Sequence, residues 1–366
     1  MLRRSGFRGA GRVVVNASAT AACGQCECAL CSVCTKASNT WDTPSGQRLE
    51  SLTTSTEPRF NFAFNPFDAD MHRMRKMHVL EPVLTFAWYE QTAACCKKPG
   101  ALVVDVGGNF GWYTLFSVAL GCEVAVFEPV PTYQEVISLG LTLNPGFRER
   151  VTLYGNVVYD QPGNYTLRVP TPSARRSRQH LGMTSMSGSA GILKAEWTSA
   201  SYNHVASSVR IDDLVDRDVC MLKADVEGYE PQVMQTAQKL LRSGRVAAVQ
   251  LEMTRTPKSR NQTCAAIHML EELDTLGYEF RQVTTKEADK GEGRLPAYGS
   301  WAASPKVWDT LPAFPPQTPR STARRRTSKM ERAYRSDFTT FSTNLIGILR
   351  PEKKADHAPP WPPLTC

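Results

Sequence analysis

Three carboxylates have the types and spacing to do chemistry. Asp225 and Glu227 stand in Lys223-Ala224-Asp225-Val226-Glu227-Gly228-Tyr229-Glu230, and Glu252 ends Val246-Ala247-Ala248-Val249-Gln250-Leu251-Glu252. Each block opens as a short apolar run that reads as a buried strand. Acids at a strand's C-terminal end, just before a helix, lie where open α/β sheets bind ligands. Asp225 and Glu227 project to one side if the backbone stays extended there. Such a pair can take a proton from a hydroxyl as a bond forms on its oxygen, with Glu252 as the next candidate base. Paired carboxylates can also hold Mg²⁺, although no metal-ligand pattern stands out. The competing role is orientation of a ligand or capping of a helix.

A second constellation lies upstream. Val103-Val104-Asp105-Val106-Gly107-Gly108-Asn109-Phe110-Gly111 is a strand running into an acid and a glycine turn, and Trp112 to Leu120 then suits a helix. Gly107, Gly108 and Gly111 let a ligand lie against the main chain at a helix N-terminus, where unpaired N–H groups point outward. The next strand ends at Glu128, seventeen positions after Gly111, where a βαβ unit places a carboxylate beside a ribose. Asn156, closing the strand that begins at Val151, is a candidate for an adenine pocket. The turn does not match Gly-x-Gly-x-x-Gly, because Asn109 and Phe110 interrupt the spacing.

These residues need a scaffold that alternates strands and helices. Strands are expected near 103–106, 123–128, 151–158, 219–224, 246–252, 277–283 and 340–349, with helices between them, which gives a doubly wound α/β sheet. Asn164 to Val169 reads as an edge strand and Phe60 to Phe64 as another strand. Met71 to Cys96 reads as helices covering one face, interrupted near Pro82. The chain divides into a leader with a cysteine cluster (1–59), one domain (60–350, core 101–283) and a Pro-rich tail (351–366). Within the domain, 171–206 and 284–338 are polar inserted loops. His180 and His204 in the first loop are expected at the surface, as is Arg324-Arg325-Arg326 in the second.

With 366 residues, 42% of them hydrophobic, the chain can bury a large core. Its net charge of +8 is concentrated in segments that look unfolded, which argues against nucleic acid as a partner. No apolar run reaches bilayer length, so a soluble protein is expected. The Arg- and Ser-rich, acid-free start has the composition of a transit peptide for a mitochondrion or plastid, and residues 36–59 read as linker. Cys23, Cys26, Cys28, Cys31 and Cys34 are too tightly spaced for a zinc ribbon. The other cysteines read as ordinary thiols of a reducing, intracellular compartment, not as a disulfide framework. No feature of the sequence fixes an oligomeric state.

Taken together, Asp105-Val106-Gly107-Gly108-Asn109-Phe110-Gly111, Phe127-Glu128-Pro129, Ile211-Asp212-Asp213-Leu214 and Leu222 to Glu230 occur in the order seen in FkbM-type S-adenosylmethionine-dependent methyltransferases, and the chain resembles that family from about 101 to 283. The Lys-x-Asp-x-Glu-Gly block is the most specific part. The resemblance implies seven strands with the last antiparallel, so 278–283 and 340–349 would form the terminal hairpin around the second insertion. It implies methyl transfer from S-adenosylmethionine to a hydroxyl of a sugar or other small metabolite. Carried over by position, Asp105, Gly107, Asn109 and Gly111 would contact the methionine moiety, Glu128 the ribose, and Asp225 and Glu227 would lie near the sulfonium and the acceptor. Gly108 replaces the usual Ala, and Tyr229 stands where a small residue is usual. A nicotinamide-dependent oxidoreductase shares the turn and the ribose acid but gains nothing from Asp225 and Glu227. A catalytically silent nucleotide-binding module is the third reading.

Overall fold

A computed structural model describes residues 39–68, 71, 74–170, 185–186, 201–253, 260–283, 301, 306–314 and 343–353. The Arg-rich start, the Cys23–Cys34 cluster, His180, Arg324-Arg325-Arg326 and the tail beyond 353 lie outside these residues.

The described chain opens with β1 (Thr40–Asp42), β2 (Arg48–Thr53) and β3 (Asn61–Phe64), paired antiparallel in that order. The linker expected over 36–59 is therefore corrected: residues 40–53 are paired strands. Composition hid them because β2 carries only Leu49 and Leu52 as large apolar residues. Leu49 is nevertheless fully buried, and Thr54 and Thr56 are buried against each other at 2.7 Å. The sheet is fastened to the rest of the fold where Asn61 N–H donates to Asn144 Oδ1 (2.8 Å) and Asn144 Nδ2 to Asn61 O (2.7 Å).

Two helices follow, α1 (Met74–Met77) and α2 (Pro82–Thr92), broken where Pro82 starts α2. Alternation then begins with β4 (Leu102–Val106), α3 (Trp112–Leu120), β5 (Glu123–Phe127), α4 (Pro131–Thr142) and β6 (Val151–Tyr154). A small second sheet comes next, from β7 (Val157–Val158), β8 (Asn164–Pro170), β9 (Ser185–Met186) and β10 (Ser201–Val209). The strand expected over 151–158 is thus two, split at Gly155-Asn156 because β7 pairs with β10 instead of continuing beside β5. The end of the expected loop 171–206 is also strand, with His204 on β10 opposite Leu167. A short α5 (Ile211–Leu214) leads to β11 (Val219–Ala224), α6 (Glu230–Thr236), α7 (Gln238–Ser243), β12 (Ala248–Met253), α8 (Arg260–Thr275) and β13 (Tyr278–Val283). The last elements are α9 (Val307–Thr310), β14 (Ala313–Phe314) and β15 (Thr343–Leu349).

The large sheet has the order β14-β13-β15-β12-β11-β4-β5-β6. β15 runs antiparallel to both β12 and β13, so the terminal hairpin expected around the second insertion is present. The expected seven strands are joined by one more, because the insertion contributes the two-residue edge strand β14. Strands β4 and β11 are buried along their whole length, as central parallel strands covered on both faces must be. One face packs on α2, α3 and α4 through residues such as Phe86, Phe116 and Ile137, and the same cluster takes in Leu49 and Phe62 of the small N-terminal sheet. The other face packs on α6, α7 and α8 through Met234, Leu240 and Met269.

Two disulfides join scattered cysteines among the described residues. Cys95 bonds Cys220 across 125 residues and Cys96 bonds Cys122 across 26. The reading of these as unpaired thiols is corrected, and with it goes the support they lent to a reducing compartment. No spacing rule connects adjacent Cys95 and Cys96 to partners on β11 and at the start of β5; only the sheet order brings the sulfurs together. Among the described residues no helix is long and apolar enough to cross a membrane.

Candidate active site

The end of β4 delivers the chain to Gly107, whose φ of +78° belongs to the left-handed region. A Cβ there would lie 2.0 Å from the carbonyl oxygen of Asp225, so the turn abuts the end of β11 with no room for a side chain. The N–H groups of Gly107 and Gly108 both donate to Phe127 O, at 3.0 and 3.2 Å, which docks the turn on the end of β5. Glu128 completes this joint. Its Oε2 accepts from Asn109 N–H (2.8 Å) and its Oε1 from Val130 N–H (2.9 Å). Glu128 is 4% exposed. Burial pushes its carboxyl up to about 8, more than the two backbone donors and Lys223 offset, so the group keeps its proton at neutral pH.

Lys223 joins the first motif to the second. It is buried on β11 beside Asp105 of β4, and its Nζ lies 3.3 Å from Asp105 Oδ1, 3.3 Å from Asp225 Oδ2 and 3.0 Å from Gly107 O. Asp105 Oδ2 also accepts from Thr114 Oγ1 at 2.6 Å. Burial works against the charge of Lys223, but the carboxylates of Asp225 and Asp105 hold it above the usual lysine range. Burial would likewise raise Asp225; Lys223 and a hydrogen bond from Glu252 outweigh it and hold Asp225 below the usual carboxylate range. Glu252 is driven well above that range, first by the charge of Asp225, then by burial and by the same hydrogen bond. The two acids therefore titrate as a pair, with Asp225 shifted down and Glu252 up.

The loop after β11 is shaped by Glu230, which is 1% exposed and accepts from Val226 N–H (3.0 Å) and Gly228 N–H (3.2 Å). Burial raises its carboxyl to about 8. Glu227 consequently sits at φ 56°, and the extended backbone expected to align Asp225 with Glu227 is not present. Both acids still reach one cavity, because the tight turn carries Glu227 back over the strand end. That cavity has about 790 Å³ of empty space, counting its open mouth. Gly107, Asn109, Glu128, Asn156, Asp225 and Glu227 line it together with Tyr133, Tyr159 and Tyr229. No Lys or Arg is among the described residues of its wall.

A family model described as the methyltransferase FkbM domain matches residues 105–280. The chain carries an FkbM methyltransferase domain. It belongs to the doubly wound fold expected of that family, and the resemblance read over 101–283 is borne out. Among solved structures, an FkbM methyltransferase from Methylobacillus flagellatus is similar at 16% identity over 42% of this chain and 32% of that one, with a TM-score of 0.28. A SAM-dependent methyltransferase from Geobacter sulfurreducens, solved with S-adenosyl-L-homocysteine, is similar at 10% identity over 76% of this chain and 97% of that one, with a TM-score of 0.34. The chain thus spans about a third of the length of the Methylobacillus protein. No curated protein sequence matches the chain.

Within the FkbM domain the expected residues fall into two groups. Gly107, Asn109, Glu128, Asn156, Asp225 and Glu227 face the cavity, whereas Asp105, Gly108, Gly111 and Glu252 stand behind or beside its wall. Asp105 is only 1% exposed and spends its carboxylate on Thr114 and Lys223, so it anchors the turn from beneath. Asn156 donates its Nδ2 to Ser207 Oγ (2.9 Å) and O (3.2 Å), tying the cavity edge to β10. Lys223 and Glu230 stood in the motif without a role; their burial, invisible in sequence, is what assigns one. Tyr133 and Tyr159 carry no local signal and enter the wall only because α4 and the small sheet fold over it.

Proposed function

We propose that the FkbM domain binds S-adenosylmethionine in this cavity and methylates a hydroxyl oxygen of a sugar or other small metabolite. The residues suit the cofactor. Gly107 leaves the main chain bare at the turn, Asn109 Oδ1 is buried with no hydrogen-bond partner among the described residues, and the wall sets Asp225 and Glu227 where a cation would sit. Glu128 offers its carboxyl to ribose hydroxyls, and Asn109 Oδ1 offers an acceptor to an ammonium group. When bound, S-adenosylmethionine supplies a methyl group already activated by its sulfonium, leaving the protein to align the acceptor oxygen, exclude water and remove a proton.

The observation that carries the reading is the division of labour between Asp225 and Glu252. Asp225 is kept ionised by Lys223 and faces the cavity, so it is the base that takes the acceptor's hydroxyl proton. In this reading Glu252, raised by the charge of Asp225, is the hydrogen-bond partner that orients Asp225. Glu227 is the nearest alternative base on the cavity wall. Asp225 and Glu227 in the wall suit a sulfonium cation and gain nothing from a nicotinamide ring.

Calorimetry with S-adenosylhomocysteine and NAD, followed by incubation with labelled S-adenosylmethionine and a metabolite extract, tests the proposal. The expected result is binding of S-adenosylhomocysteine but not NAD, transfer of label to a hydroxylated metabolite, and at least a 100-fold loss of turnover in Asp225→Asn. Binding with no methylated product would favour the silent module, and full turnover in Asp225→Asn with loss in Glu227→Gln would move the base to Glu227.

A further inference from the structure

The cavity wall carries aromatic and branched side chains that the reading above leaves without a role. Val158 and Tyr159 come from the end of β7, Leu167 from β8 and Tyr229 from the N-terminus of α6. Tyr159 is the centre of this group. Its ring meets that of Tyr165 at 4.9 Å and 62°, and that of Tyr229 at 6.0 Å and 67°. Both are edge-to-face contacts, the arrangement that aromatic quadrupoles favour. Tyr165 is not a lining residue, and its hydroxyl is spent on Gln161 O (3.0 Å), so it supports Tyr159 from outside the cavity. The backbone is fixed as well. Tyr159 N–H donates to Val209 O (3.2 Å) at the end of the β7–β10 pairing, and Arg210 Nη1 donates to Asp160 O (3.2 Å). The Tyr159 ring is half-buried, and its hydroxyl makes no hydrogen bond among the described residues. Burial first, then the charge of Asp160 and the neighbouring tyrosines, pushes this phenol up to about 12, so it is neutral at pH 7.

The aromatic group adjoins the acids. Asp225, Val226, Glu227 and Tyr229 are wall residues of one short segment, and Tyr229 is in ring contact with Tyr159. Glu230 sets the turn of that segment by accepting from Val226 and Gly228 N–H. Tyr229 stands where a small residue is usual, so its ring narrows the space next to the acids in a way particular to this chain. Rings already packed edge to face extend that arrangement onto a planar guest through offset and edge-to-face contacts, which the projecting groups of a saturated ring prevent.

The proton chemistry points the same way. Against burial, Lys223 and a hydrogen bond from Glu252 hold Asp225 below the usual carboxylate range, which makes it a weak base. A weak base is matched to an acidic hydroxyl. A phenol titrates at about 10, whereas water titrates at about 16 and an aliphatic hydroxyl stays close to water.

We propose that Tyr159, with Tyr229 and Leu167 beside it, seats an aromatic ring of the acceptor, so that the hydroxyl methylated is phenolic. This rests on the methyltransferase reading above and narrows its acceptor. In the step, the phenol oxygen bonds the methyl carbon as the carbon–sulfur bond breaks, the electron pair of that bond stays on sulfur, and the phenolic proton passes to Asp225. Tyr159 touches no reacting atom and acts as a specificity-determining residue.

The test uses the full chain with labelled S-adenosylmethionine and a panel of phenols and catechols, each paired with its saturated cyclohexanol or cyclohexanediol counterpart, together with methyl glycosides of neutral hexoses. The wild type is expected to methylate at least one phenol and to prefer it to its saturated counterpart and to the glycosides by at least tenfold in kcat/KM. Tyr159→Leu, which keeps apolar bulk and removes the ring, is expected to raise KM for that phenol at least tenfold and to narrow the preference. Its kcat should stay within about threefold and its S-adenosylhomocysteine affinity within about twofold of wild type. Tyr159→Phe, which restores the ring, should recover most of the lost KM, a rescue that a general disturbance of the turn would not show. Tyr229→Leu, on the other side of the seat, should narrow the same preference, and it decides the matter if Tyr159→Leu fails to fold. Unchanged KM and preference in both Leu variants overturn the proposal, as does a wild type that binds S-adenosylhomocysteine yet methylates cyclohexanols or glycosides as readily as phenols. A tenfold loss of S-adenosylhomocysteine affinity in Tyr159→Leu assigns the ring to the adenine of the cofactor and overturns it too. A wild type that does not bind S-adenosylhomocysteine overturns the cofactor reading, and the proposal falls with it.

Discussion

Replacing Lys223 with Met should expose how far the site and the fold depend on one ammonium group. Lys223 is 3% exposed and serves Asp105, Asp225 and Gly107 O, so its loss leaves two carboxylates without their cation. Breaking a buried ion pair from one side costs about 3–5 kcal/mol. Asp105 carries that penalty nearly in full, being 1% exposed, whereas the Asp225 side chain is 34% exposed and its share is screened by solvent. The lower end, about 3 kcal/mol, is therefore expected, or a fall in Tm of roughly 6–12 °C at about 2–4 °C per kcal/mol. Lys223→Met/Asp105→Asn should recover much of the loss, because the stranded charge goes with the cation. The pH dependence has a definite sign. Asp225 is held below its unfolded value in the wild type, so its contribution is present above the unfolded pKa and lost as pH falls through the lowered folded one. The deficit of Lys223→Met should accordingly be larger at pH 8 than at a pH below the unfolded value of 3.8. Thermal unfolding followed by circular dichroism at the two pH values reads this directly. A variant within about 1 °C of wild type, or a deficit that does not change with pH, would refute the buried-pair account.

Two further outcomes follow from the same groups. Glu128 is raised from 4.5 to about 8, so its contribution to stability is present at low pH and declines as pH rises from about 4.5 through about 8. Ribose hydroxyls favour its ionised form, so S-adenosylhomocysteine binding at pH 7 should release up to about one proton, seen as a heat of binding that varies with buffer ionisation enthalpy and disappears in Glu128→Gln; no buffer dependence would contradict it. Peptide mapping of unreduced protein should recover Cys95–Cys220 and Cys96–Cys122 as linked pairs. Closing loops of 125 and 26 residues stabilises by roughly 5 and 3.5 kcal/mol taken singly, so reduction should lower Tm markedly, and free thiols at these positions in native protein would count against the pairing.

The sheet was legible because its strands announce themselves. Val103 to Val106 and Val219 to Ala224 are apolar runs bounded by turn residues, and the motif order fixes which of them are central. The terminal hairpin was legible only through the family resemblance, since some sixty residues separate β13 from β15 and no local pattern joins them. Of the N-terminal strands, Asn61–Phe64 was legible from its alternation and the first two were not: in Arg48–Thr53 burial rests on Leu49 and Leu52, while the buried polar residues Gln47, Thr54 and Thr56 read as linker. The split at Gly155-Asn156 was missed for a different reason, because the apolar pattern of Val157 and Val158 is the same whether they continue one sheet or join another.

The acids show why composition locates a site but does not assign its roles. Asp225, Glu227, Glu230 and Glu252 are alike in sequence, each closing or following an apolar strand, yet their surroundings separate them. Burial raises Glu230 against the backbone N–H groups it accepts from as it shapes the loop, whereas Glu252 is raised first by the charge of Asp225. Asp225 is shifted down because Lys223 is fixed beside it, and Lys223 is fixed because Asp105, on the neighbouring strand, holds its other side. The glycine turn, Lys223 and Asp225 are thus one assembly, in which Gly107 O and Asp225 share a single ammonium group. A perturbation at the glycine turn must therefore reach Asp225, and the proton state of Asp225 must be felt at the turn.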